Sequence, residues 1–556
     1  MARAGLWAAL GLLALPVLAG LAGVIAPAFG YLPALGGTEL SLDPWRGLLG
    51  WGGLGDAVRL SVTTGVLSTA LSLAMTFLIV AAWQGTRSFA WVTRALAPML
   101  ALPHAAAAFG LAFLIAPSGW IARALSPWAT GWDRPPDLLI VNDPLGLALV
   151  AGLVVKEVPF LLLMTLAALP QADSLRSQMI ARGLGYGRVM GWMKVVAPRV
   201  YAQIRLPVYA VLAYSMSVVD VALILGPTRP PTLAVQILEW TNHPDLRLRF
   251  QAAAGACLQL LLVVGALALW RLAERLVARR GAGWAAGGAR GVGADRVLRP
   301  VGAGVALAIG LAVGLGLAGL LVWSFAGLWR FPALWPDAWG LRNWAGQSDM
   351  LARRIWQSAA IALGASVIAL TLSVAALQTQ GARPARIMGL IYLPLIVPQI
   401  AFLPGLASFA LILGLDGTLG TVMAVHLVFV LPYVYLVLAD PWRAWDARAG
   451  LVAASLGARP LRVLWAVRLP MLLRALCVAF AVGFATSIAQ YLPTLLIGAG
   501  RVGTVTTEAV ALASSANRRL IGVWAVVQMA LPMAVFATCL ALPALIWRNR
   551  QGMRIG

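Results

Sequence analysis

Charge is what this sequence has least of. Only 11% of its 556 residues are Asp, Glu, Lys or Arg, while 61% are hydrophobic. A soluble globular chain is about one-quarter charged, and no soluble core could hide this much apolar surface. Lysine is nearly absent. Lys156 follows a valine and Lys194 a methionine, so no Gly-Lys dipeptide exists. That excludes a P-loop, in which Gly-Lys followed by Ser or Thr cradles phosphates with backbone amides and the lysine ammonium. The three histidines, His104, His243 and His426, form neither a zincin motif nor a triad. The three cysteines, Cys257, Cys477 and Cys539, lie inside apolar runs without metal-like spacing and read as small buried residues rather than a disulfide framework. No catalytic residue, metal site or resident cofactor is expected, and the chain is not read as an enzyme.

What the sequence has in quantity is apolar runs long enough to span a bilayer, which takes about 20 residues each. The first, Leu6 to Ile25, is taken as a span rather than a cleaved leader. Spans follow near Leu60–Trp83, around Pro98, Pro103 and Gly110, and near Leu145–Leu169, Leu206–Leu225 and Ala252–Trp270. After a stretch with seven arginines and two acids (271–300), read as a flexible linker, come spans near 301–323, 356–378, 387–413, 419–439, 472–497 and 520–547. The formal charge of +23 is unevenly spread. With loops placed on alternating sides, one side carries 27 basic and 5 acidic residues and the other 14 and 12. The positive-inside rule puts the richer side, with both termini and the linker, in the cytoplasm. The basic excess is thus a topology signal, and no nucleic acid is expected as a partner; membrane lipid is. The fold class is an all-α polytopic integral membrane protein of about twelve transmembrane helices.

The second half repeats the first. Gly185, Pro198, Ser215, Gly226, Arg229 and Thr232 recur 272 positions later as Gly457, Pro470, Ser487, Gly498, Arg501 and Thr504. Pro103 and Gly110 recur 295 positions later as Pro398 and Gly405, a difference that a longer external loop around 117–143 would produce. Pro159 and Pro432 also sit at matching places, as hinges or static bends. The division read from this is a first six-helix half (1–275), a basic cytoplasmic linker (276–300) and a second six-helix half (301–556).

One loop occurs in both halves, at about 179–198 and 451–470. The copies read "ARGLGYGRVMGWMKVVAP" and "AASLGARPLRVLWAVRLP", with proline 13 residues after the glycine in each. This pattern resembles the cytoplasmic EAA loop in permease subunits of bacterial binding-protein-dependent ABC importers. Met179 and Leu451 stand where that loop carries its leading acid, and Ala197-Pro198 where Leu-Pro is usual. The resemblance implies two tandem type I, MetI-like permease halves, most similar to the thiamine, ferric-iron and polyamine group. It implies a multi-pass protein of the bacterial cytoplasmic membrane that forms the solute pathway. Its partners would be two copies of an ABC ATPase subunit, which carry ATP and Mg, and a periplasmic or extracellular solute-binding protein. The coupling residues it implies are Ala181, Arg182, Gly185, Arg188 and Pro198 in the first loop, and Ala453, Gly457, Arg459, Arg462 and Pro470 in the second. For the arginines, lipid headgroups or simple topology are the competing explanation.

Ionisable residues within spans are costly, about 3 kcal/mol each at the bilayer centre on insertion scales, and should face the bundle or water. Lys156 and Glu157 stand in "VVKEVPF" and Asp220 in "SVVDVALILGP". Lys156, Glu157, Asp220 and Ser217 are read as candidates for the translocation path, with Gln490 as the polar group at the matching region of the second half; a structural pair within the bundle is the alternative for Lys156 and Glu157. The rival function is a twelve-helix secondary transporter driven by an ion gradient, which shares the parallel halves and central linker but gives no reason for two such loops.

Overall fold

A computed structural model describes residues 2–379, 390–515 and 517–548. Apolar, helix-forming sequence becomes helix nearly throughout. Among the described residues there is no sheet, only isolated bridges at Leu32–Gly37 and Ala326–Trp339. The first half contributes α1 (Ala2–Ala28), α2 (Leu54–Trp83), α3 (Arg87–Ala101), α4 (His104–Ile115), α5 (Leu147–Ala168), α6 (Ser174–Gly183) and α7 (Ala197–Ser217). It continues with the short α8 (Asp220–Leu225) and α9 (Leu233–Thr241), then α10 (Leu248–Ala286). The second half contributes α11 (Asp295–Phe325), α12 (Ser348–Thr379), α13 (Gln399–Ile412), α14 (Leu419–Ala444), α15 (Ala447–Ser455) and α16 (Leu473–Ile488). It ends with α17 (Leu492–Gly498), α18 (Val505–Ala511) and α19 (Arg518–Ile546).

Among the described residues nine helical stretches are long and apolar enough to cross a bilayer, ten if the pair bent by 77° before Leu473 counts as one. The sequence reading expected about twelve. The two remaining runs are interrupted. In 206–225, α7 stops at Ser217 and α8 restarts at Asp220. In 387–413, α13 has only 14 residues, and the run's first residues, 387–389, like 380–386 of the loop before it, lie outside the described residues. Residues 549–556 of the C-terminal tail lie outside them too.

A broken helix in lipid must satisfy the backbone groups that the break releases. This chain does so with side chains from distant helices, in the same way in both halves. The amide of Gln259 donates to Met216 O, one residue before the end of α7, at 3.1 Å. At the equivalent Ile488, the last residue of α16, Thr506 Oγ1 donates to the carbonyl, backed by Gln528 at 2.9 Å. The first amides of α9 and α18 are satisfied alike: Leu233 N donates to Ser61 Oγ at 3.0 Å and Val505 N to Ser358 Oγ at 2.9 Å.

The two halves interlock. The leading helix of each packs on the other half, α1 against α12 and α13, and α11 against α4 and α2. Glycines set both crossings. A Cβ at Gly23 would lie 2.8 Å from Gly405 O, and one at Gly316 would lie 2.9 Å from the carbonyl carbon of Gly110. Small residues let membrane helices approach backbone to backbone. Gly110 and Gly405 are a repeat pair, so a single crossing has been used twice.

The stretch 271–300 differs from the flexible linker expected of its composition. Leu, Ala, Glu and Arg are good helix formers, and α10 runs through them to Ala286. Helix resumes at Asp295. Only 287–294 is irregular, and it is held against the first repeated loop.

Candidate functional site

The two repeated loops fold alike. In the first, α6 ends in a left-handed Gly185 (φ +83°), with Tyr186 N donating to Ala181 O at 3.0 Å and Gly185 N to Arg182 O at 2.9 Å. In the second, α15 ends at a left-handed Gly457 (φ +85°), with Ala458 N donating to Ala453 O at 3.0 Å and Gly457 N to Ala454 O at 2.9 Å. This paired bonding is the Schellman termination, which needs a residue free to take positive φ. A short helix follows each glycine (Arg188–Gly191, Pro460–Val463), then one π-helical turn (Trp192–Val196, Leu464–Arg468). Pro198 and Pro470 come next, within the first two positions of the helices that begin at Ala197 and Leu469, where proline costs no hydrogen bond.

Three equivalent apolar side chains stand out to solvent on each loop: Met179, Ile180 and Leu184 on the first, Leu451, Val452 and Leu456 on the second, from 58% to 83% exposed. Sequence reasoning had weighed the arginines and glycines instead. The signal was present at Met179 and Leu451, apolar where the resembled loop is acidic. Arg182, Arg459 and Arg462 are exposed beside these residues. Arg188 turns inward, its guanidinium donating to Gln84 O. Ala181 is buried because Gly191 packs on it, leaving room for no more than a methyl group.

Around the membrane-embedded break, a polar seam joins the two halves. Lys156 and Glu157 on α5 are both buried, and the Glu157 carboxylate stands within electrostatic reach of the Lys156 ammonium. Lys156 Nζ donates to Met99 O at 3.0 Å and to Leu102 O, the carbonyls left open where Pro103 separates α3 from α4. Glu157 Oε1 lies 3.4 Å from His104 Nε2. The His104 ring packs on Tyr214, with centroids 4.9 Å apart. Asp220, at the first turn of α8, holds its carboxylate on that helix's own amides and within electrostatic reach of His104. Anions suit the positive end of a helix.

The second half closes the seam. Tyr433 stands within electrostatic reach of Glu157, and Tyr491 of Asp220. Gln490 meets Gln399 at 3.4 Å. Ser217 lies beside this group but spends its hydroxyl on Ala213 O at 2.7 Å. The structure thus brings Lys156, Glu157 and Asp220 into one region and adds His104 and three tyrosines. Sequence spacing could not reveal these, because their contacts join residues tens to hundreds of positions apart. His426 is buried elsewhere, bridging Ser487 at 2.9 Å and Thr494 at 2.8 Å.

No family model matches the chain. Over 556 residues it is 32% identical to the inner membrane ABC transporter permease protein YnjC of Escherichia coli (strain K12), an alignment covering 99% of this chain and 98% of that protein. A shorter stretch of 185 residues, 31% of this chain, is 26% identical to the molybdenum transport system permease protein ModB of Mycobacterium tuberculosis (strain ATCC 25618 / H37Rv) and covers 70% of it. The ModB of Mycobacterium bovis (strain ATCC BAA-935 / AF2122/97) matches to the same extent. With full-length similarity, repeated loops and apolar helices in agreement, the chain belongs to the inner membrane permease proteins of ABC transporters.

Proposed function

We propose that this permease is the pathway subunit of a binding-protein-dependent importer and that its two repeated loops couple the pathway to ATP hydrolysis on separate nucleotide-binding subunits. The observation that carries this reading is the matched pair of loops, each an exposed apolar triad ended by a left-handed glycine. Exposed apolar patches on an otherwise polar loop mark a surface for a protein partner. Each loop leads through a π-helical turn into a broken helix, α7 or α16, whose break faces the polar seam. Movement of a loop is therefore carried along a single helix, α7 or α16, to the membrane-embedded break.

In this reading the loops, the termini and the segment 271–300 face the cytoplasm, ATP and Mg are held by two ATPase subunits, and a solute-binding protein delivers cargo from outside. The residues 1–275 and 301–556 act as two permease halves around one path. Asp220, Glu157 and their tyrosine neighbours line it at the seam, while Lys156 holds the α3–α4 break in shape.

The test is uptake by proteoliposomes containing the full chain with and without its co-purifying ATPase subunit. ATP-dependent uptake that is lost in Leu184→Asp or Leu456→Asp, at unchanged protein level, is expected. Uptake driven by an ion gradient with no ATPase present would overturn the proposal in favour of a secondary transporter.

A further inference from the structure

The two repeated loops are alike in backbone and unlike in surroundings. Among the described residues a Cβ at Gly457 would meet nothing within 4 Å, whereas one at Gly185 would lie 3.4 Å from the Arg290 guanidinium and 3.5 Å from its Cδ. Among the described residues the same turn is bare in one half and covered in the other. What covers it is the junction between α10 and α11. Gly187 N donates to Arg290 O at 2.8 Å. The Asp295 carboxylate accepts from Arg188 N at 2.6 Å and Val189 N at 3.0 Å, capping the short helix after the glycine. Lys194 Nζ donates to Gly287 O at 2.7 Å and Ala289 O at 3.0 Å, and lies 5.1 Å from the Trp284 ring centroid.

Among the described residues the second loop shows none of these anchors. Gly187, Arg188 and Lys194 correspond, 272 positions on, to Arg459, Pro460 and Ala466. The helices that follow differ in the same sense. On the first side Glu274 of α10 accepts from Tyr201 Oη at 2.5 Å and Tyr209 Oη at 3.0 Å, tying α7 to α10. The corresponding positions are Leu473 and Ala481.

We infer that residues 287–299 form part of the docking surface for one ATPase subunit, the copy seated on the first loop, so that the chain presents its two ATPase subunits with unequal surfaces. This rests on the reading of the loops as ATPase-docking elements. Any partner seated against the Gly185 turn meets Arg290 and, beside it, the exposed Arg296 and Val292. The surface is cationic with an apolar centre, Met179, Ile180 and Leu184, and its complement is an acidic rim around an apolar groove. At Gly457, among the described residues, the same partner meets the loop alone.

The experiment uses the full chain in nanodiscs with the ATPase subunit that co-purifies in stoichiometric amount, and places a photo-crosslinking residue singly at 184, 290 or 456. Crosslinks to the ATPase from all three positions are expected. Crosslinks from 184 and 456 but not 290 would overturn the inference and leave the coupling function standing. A crosslink from 456 alone would make the junction a cover over the first loop, which also overturns it. With none from any position, the coupling function itself falls. Arg290→Glu, at an exposed site, should weaken ATPase binding about tenfold at low ionic strength and little at high ionic strength, as for a charge at the edge of an interface. Equal affinity of Arg290→Glu and the unaltered chain at low salt would count against it.

Discussion

A left-handed residue costs an L-amino acid roughly 1–2 kcal/mol that glycine does not pay. Because a Cβ at Gly457 would touch nothing among the described residues, Gly457→Ala separates that conformational cost from a steric one. It should leave the chain in the membrane at normal level yet lower ATP-driven uptake several-fold, since the Schellman turn that sets the loop's exit is weakened. Undiminished uptake would mean that the turn transmits nothing. Lys156 poses a different question. Its ammonium serves carbonyls freed at Pro103, and hydrogen bonds to a charged group are worth about 1.5–3 kcal/mol. Lys156→Met should therefore lower the thermal unfolding midpoint of the purified chain, with Glu157→Gln milder because an amide keeps a polar group of the same shape beside the His104 ring. A Lys156→Met protein of normal stability that no longer transports would place the ammonium in the path rather than in the scaffold.

Helix against helix, the glycine crossings are the sharpest test. Gly23→Val and Gly316→Val both insert side chains where backbone stands within 3 Å, and overpacking of this kind costs about 1–3 kcal/mol. Both should reduce the amount of folded protein in the membrane, whereas Gly314→Val, with open space around it, should not. Equal behaviour of all three would remove the crossings from the account. At this scale the sequence was legible where a residue acts on its own backbone. Gly185 and Gly457 marked the turns, whereas the helix interruptions at Pro103 and Pro398 fell inside runs read as single spans. It was opaque where a partner arrives from far along the chain. Nothing near Met216 or Ile488 hints that Gln259 and Thr506 will cap them. The junction misled for a related reason: Gly, Ala and Arg in a row read as flexible, but Asp295 and the carbonyls of Gly287 and Ala289 find their partners about a hundred residues upstream.

For the whole molecule, the exchange of leading helices decides what fusion of the two halves is for. If the halves were separate bundles side by side, the junction would be what keeps them together. Here α1 lies in the second half and α11 against the first, so separating the halves means pulling a helix out of each. In a bilayer, where association rests on close packing rather than on apolar burial, two such crossings hold independently of the covalent link. A protease site inserted between Gly288 and Ala289, in the exposed part of the junction, should therefore yield two fragments that still co-elute after cleavage in detergent. Adding Gly23→Val and Gly316→Val together should let them part. If the cleaved fragments separated without those substitutions, the covalent junction, and not the interlock, would be the element that makes one permease of two halves.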